Sequence, residues 1–111
     1  MDKTYTVKIT SQAEEQIQET IYYITHELKA PGAALHLLDI LEDSISSLSY
    51  YPQRIALISE EPWHTKGIRR FPVKNFLIYF WIDDANMKVQ ITALIYGKRD
   101  QLHQLSQIDM E

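Results

Sequence analysis

Residues 76–82, Phe-Leu-Ile-Tyr-Phe-Trp-Ile, are the longest uninterrupted apolar run in the chain. Seven residues are far short of the ~20 that a membrane helix needs, and their aromatic and β-branched character predicts a strand. Phe76, Ile78, Phe80 and Ile82 fall on one face of such a strand, and Leu77, Tyr79 and Trp81 on the other. Both sets are apolar, so the strand is central and needs a cover on each side. Val89–Tyr96 repeats the pattern, with Val89, Ile91, Ala93 and Ile95 against Gln90, Thr92, Leu94 and Tyr96. The six residues between, DDANMK, are rich in turn formers and predict a hairpin.

The rest of the chain supplies one cover. Tyr5, Val7 and Ile9 alternate with Thr6 and Lys8, which predicts a half-buried strand. Ser11-Gln12-Ala13-Glu14 is a capping box, placing a helix start at Ser11. Ala13, Ile17, Ile21, Ile24 and Leu28 then recur at helical spacing. Lys29-Ala30-Pro31-Gly32 breaks that helix, with Pro31 suited to the first turn of the next. Ala34, Leu37, Leu38, Leu41, Ile45 and Leu48 form a second stripe that ends near Pro52, and so short a connection makes an antiparallel helical hairpin. Residues 53–66 show no period and are expected to form a loop, followed by a strand over 67–73 whose Pro72 places it at a sheet edge. The expected fold is a single α+β domain over residues 1–111, strand, helix, helix and three strands, with the helical hairpin on one face of a mostly antiparallel four-stranded sheet. The second, aromatic face is left either to loop 53–66 or to a partner. The tail, residues 101–111, is expected to be mobile or to form one helical turn.

Composition narrows the chemistry. There is no Cys, which removes disulfides, thiol catalysis and Cys-based zinc sites. Three glycines leave no phosphate-cradling loop, and no His, Asp or Glu spacing has the logic of a metal site or a catalytic triad, so neither cofactor nor metal is expected. The N-terminus lacks the build of a signal peptide, and a cytoplasmic protein without membrane attachment is expected. Residues 1–61 hold 10 acids against 4 bases, whereas residues 62–111 hold 5 acids against 7 bases. The bases gather as Lys66, Arg69, Arg70 and Lys74, then as Lys88, Lys98 and Arg99. Should Arg69 or Arg70 converge with Arg99 on the non-helical face, with Tyr96 or His64 as a proton carrier, they have the parts for metal-independent RNA cleavage. The competing account is that they are strand-end cations that keep a sheet edge soluble.

The opening strand followed by SQAEEQIQETIYYI, then PGAALHLLDILEDSISSLSYYP, GIRRFPVKNFLIYFWID and ALIYGKRD, in this order and spacing, resembles the RelE/ParE superfamily of type II toxin–antitoxin toxins, the plasmid-stabilisation proteins. That resemblance implies a growth-arresting toxin held in a hetero-oligomeric complex by a cognate antitoxin. It implies one of two targets, the ribosome for RelE-like mRNA endonucleases or DNA gyrase for the ParE-like branch. Arg99 matches the Arg of the family's terminal Gly-Lys-Arg-Asp signature, and Arg69 or Arg70 the basic positions after the loop. Phe76 stands where the nuclease branch carries an Arg, and FPVKNFLIYF and ALIYGKRD look more like the ParE-like branch, although that branch commonly has His at the position of Tyr96. The expected nuclease set is Arg69, Arg70, Tyr96 and Arg99. The expected partner-binding set is Leu77, Tyr79, Trp81, Leu94, Lys98 and Arg99. A non-toxic, antitoxin-binding remnant is the third expectation.

Overall fold

The computed structural model describes residues 4–99 and 101–108. Four strands, β1 (Thr6–Ile9), β2 (Arg69–Val73), β3 (Phe76–Asp83) and β4 (Lys88–Tyr96), form one sheet in the order β1-β4-β3-β2. The β2–β3 and β3–β4 pairs are antiparallel, and β1 runs parallel to β4. Helices α1 (Ser11–Tyr22) and α2 (Pro31–Ser47) form the hairpin, and a short α3 (Gln101–Leu105) follows the last strand. The α+β architecture is thus the expected one, and β2, with Pro72, is an edge strand.

Three local features depart from expectation. The N-cap of α1 is Thr10, not Ser11. Thr10 is still extended and donates its amide to Ile91 O at 3.0 Å, while its Oγ1 accepts from the Ala13 amide at 3.2 Å. The residue that follows β1 therefore continues its pairing and serves as the cap, a contact typically contributing about 1 kcal/mol. At its far end α1 runs into a wide turn, Tyr23–Glu27, closed by Leu28 N donating to Tyr23 O at 3.1 Å. That i→i+5 step adds a residue to the turn. The buried stripe holds through Ile17, Ile21 and Ile24, but Leu28 is turned outward.

The third departure is a β-bulge in β4. Tyr79 pairs with Ala93 but Phe80 with Ile91, so Thr92 is an inserted residue. Its hydroxyl donates to Tyr79 O at 3.1 Å, and its carbonyl accepts from Thr10 Oγ1 at 3.4 Å. The insertion switches the faces of the remaining strand. Val89, Ile91 and Leu94 pack under the helices, whereas Ala93 and Ile95 lie on the other side. Leu94, expected on the second face, is 5% exposed in the helical-side core. Its amide, beyond the end of β1, donates to Gln16 Oε1 of α1 at 2.9 Å.

Two cores result. Ala13, Ile17, Leu37, Leu41, Ile45 and Leu48 of the hairpin pack on Val73, Ile78, Phe80, Val89, Ile91 and Leu94. Each fully buried large side chain there, such as Leu41 or Phe80, contributes about 1.5–3 kcal/mol by transfer from water. On the opposite face Ile58, Ile68, Tyr79, Ala93, Ile95 and Leu105 form the second core, with Trp63, Leu77, Trp81 and Ile108 around it. The 53–68 segment and α3 together cover the aromatic face, so that face is not left open for a partner. Residues 109–111 of the tail lie outside the described residues. No described helix is long and apolar enough to cross a membrane.

Candidate functional site

Because alternate residues of a strand point to opposite faces, the two arginines that open β2 are separated at once. Arg69 pairs with Phe80, on the helical side, and its guanidinium donates to the carbonyl oxygens of Ile55 and Gln53 in the preceding loop. It is a clamp on that loop. Arg70 pairs with Tyr79 on the second face, where its guanidinium lies beside the Tyr79 phenol and near Glu60.

Tyr79 is fully buried, and its phenol donates to Gln101 Oε1 at 2.6 Å. Gln101 Nε2 in turn donates to Tyr96 O at 3.1 Å and Arg99 O at 2.8 Å, fastening α3 to the end of β4. Burial pushes the Tyr79 phenol above its ordinary range, and the hydrogen bond and charge of Arg70 offset part of that rise. The folded state therefore holds the phenolic proton more tightly than the unfolded chain does. The stability this gives is complete below the ordinary tyrosine range near pH 10 and is lost as pH rises through the raised folded value. Alkaline denaturation monitored by circular dichroism should accordingly set in above about pH 10, with a shallower fall in Tyr79→Phe; an unchanged slope in that variant removes Tyr79 as the cause.

Glu60 is held below the usual carboxylate range by Ser59 Oγ, by backbone hydrogen bonding and, more weakly, by Arg70. Glu61 is lowered by the amide and hydroxyl of Thr65, a turn cap. His64 places Nδ1 2.8 Å from Ile58 O, which fixes its ring to the loop. Among the described residues no group of three or more His, Asp or Glu is placed to hold a metal ion.

Tyr96 emerges on the helical side, with its ring edge-on to Phe76 at 5.6 Å. It is thus on the opposite face from Arg70. The sheet does gather cations at one end. Gly97 N donates to Asn75 O at 2.8 Å, and a Cβ on Gly97 would meet that oxygen at 3.2 Å, so glycine permits the close approach. This contact brings the β2–β3 turn, with exposed Lys74, against exposed Lys98 and Arg99. Arg99 N closes a turn onto Tyr96 O at 3.0 Å.

The four residues expected to form a nuclease site are therefore divided: Arg69 and Tyr96 on the helical side, Arg70 on the other, and Arg99 on the surface beyond the strand. Of the expected partner-binding residues, Tyr79 and Leu94 are interior, Leu77 and Trp81 are half-buried in the second core, and Lys98 and Arg99 are open to solvent. A cleft of about 270 Å³ between the loop and α3, lined by residues such as Trp63, Lys66 and Leu105, includes none of the residues of either expected set. Lys74 and Gln101 were not singled out as site residues from the sequence. In the sequence, the signal for an ordered end of the chain is the recurrence of Leu102, Leu105 and Ile108 three residues apart.

The model of the family described as ParE toxin of type II toxin–antitoxin system, parDE, matches residues 7–101. Among solved structures, the chain is similar to one from the chromosomal ParDE toxin–antitoxin system of Pseudomonas aeruginosa, with a TM-score of 0.70 at 17% identity over 86% of this chain and 99% of that one. It is also similar to a chain of the RelBE2 toxin–antitoxin complex of Mycobacterium tuberculosis, with a TM-score of 0.59 at 21% identity over 84% and 98% of the two chains. No curated protein matches the sequence. At these identities the structural likenesses concern the fold.

Proposed function

Because this chain belongs to the ParE family of type II toxin–antitoxin toxins, we propose that it arrests growth by binding a protein target, DNA gyrase, and is neutralised by direct contact with a cognate antitoxin. The observation that carries the choice of a protein target over RNA is the division of the cations. A phosphate site needs several donors aimed at one oxyanion, and here Arg69 is committed to two loop carbonyls while Arg70 and Tyr96 leave the sheet on opposite faces. At the end of the sheet Lys74, Lys98 and Arg99 are exposed, a cationic surface suited to an acidic protein patch. The two similar structures both come from toxin–antitoxin systems, which supports the antitoxin as a partner.

Induced expression followed by transcript mapping tests this. Growth should stop with transcripts intact, and Arg99→Ala should weaken arrest roughly tenfold in the toxin level required, the size of one lost interface contact. Ribosome-dependent cleavage of transcripts that disappears in Arg99→Ala contradicts the proposal and assigns the RelE-type endonuclease activity instead. Harmless expression without any antitoxin contradicts both and leaves a non-toxic remnant.

A further inference from the structure

The tip of the helical hairpin carries exposed apolar surface that neither the two cores nor the cationic sheet end uses. Tyr22, Tyr23, Leu28 and Leu35 are 63%, 53%, 57% and 63% exposed, and all four flank the connection between α1 and α2. Isolated exposed hydrophobics are ordinary, but a concentration of them marks a partner site.

The backbone builds this patch. In a regular helix Leu28 continues the buried stripe of Ile17, Ile21 and Ile24; the i→i+5 turn over Tyr23–Glu27 rotates it into solvent instead. Such turns are less stable than the α-helix they interrupt and are found frequently at functional sites. The Tyr22 ring lies 4.3 Å from that of His26, which keeps it against the helix surface.

Charge selects the occupant. Residues 11–47 contain seven Asp and Glu against one Lys, Lys29 at the connection, and Glu15 and Glu19 of α1, Glu27 of the wide turn and Asp39 of α2 are exposed. Apolar anchors within an acidic border match an amphipathic helix whose apolar stripe is flanked by Lys and Arg. A second copy fits poorly, because two tips repel each other, and a tip docked on the cationic sheet end of another copy makes a head-to-tail contact that need not close. We propose that the hairpin tip is a docking surface for a basic amphipathic helix of a protein partner.

Two synthetic probes test this, an amphipathic helix of leucines and lysines and its counterpart of leucines and glutamates, each titrated by fluorescence anisotropy against the full chain. The lysine peptide should bind and weaken with added salt, and the glutamate peptide should not bind. The double variant Leu28→Ser, Leu35→Ser should lower affinity at least roughly tenfold, as loss of anchor residues does, while Tyr50→Ser, equally exposed outside the patch, should not. Both variants alter solvent-facing side chains, so their melting temperatures should match the parent. Equal binding of the two peptides, or unchanged affinity in the double variant, overturns the proposal. So does a sedimenting dimer that the double variant abolishes, which assigns the patch to a second copy of the chain.

Discussion

Leu105→Ala is expected to destabilise the protein by about 2–4 kcal/mol. Leu105 is 1% exposed although it belongs to a helix of only five residues. So short a helix has no independent stability, and what holds it is the burial of this side chain against Ile58, Ile68, Tyr79, Ala93 and Ile95, together with the Gln101 contacts. Truncation to alanine leaves a cavity under the segment and loosens the cover of Trp63 and Trp81. The loss is a sizeable part of the 5–15 kcal/mol typical of a domain this size. Denaturant unfolding followed by tryptophan fluorescence measures it, with a lower midpoint at unchanged slope expected. A change below about 0.5 kcal/mol, the range of ordinary surface substitutions, would show that α3 is not part of the folded unit in solution.

Arg69→Ala should cost about 1.5–3 kcal/mol, the range for a charged hydrogen bond lost with its acceptors left behind. The guanidinium holds the carbonyls of Gln53 and Ile55 at the point where the loop turns to cover the second face. Arg69→Lys should recover only part of this, because an ammonium lacks the planar fork that meets two acceptors at once. Any fall in toxicity should then follow the folded fraction, measured in the same cells by soluble protein level. An Arg69→Ala protein that melts with the parent but no longer arrests growth places Arg69 at the working surface after all.

Much of the fold was legible because its signals are local. Period-2 apolar runs gave the strands, the two helical stripes and Pro31 gave the hairpin, and Pro72 gave the sheet edge. The features that were missed depend on geometry the pattern does not carry. Because Ala93, Leu94 and Ile95 are all apolar, a one-residue insertion at Thr92 leaves no visible break in the pattern after it, and Leu94 falls on the opposite side from that expected. Ser11 and Thr10 are both good caps, and the choice fell to Thr10 because β1 stays paired up to that residue. Leu28 fits the α1 stripe at regular helical spacing and leaves it only through the wide turn. Arg69 and Arg70 are indistinguishable as letters, and strand alternation alone gives them opposite roles. The helical turn at the end of the chain was legible, but not its burial, because Leu105 packs on residues distant in sequence, Ile58, Ile68, Tyr79, Ala93 and Ile95.

The central claim is that this ParE-family chain acts on a protein and not on RNA, and gyrase supercoiling with purified components measures it most directly. Addition of the purified chain to gyrase and relaxed plasmid should inhibit supercoiling, with Arg99→Ala inhibiting more weakly and the cognate antitoxin restoring activity. Full supercoiling at concentrations of the chain that still arrest growth would contradict it.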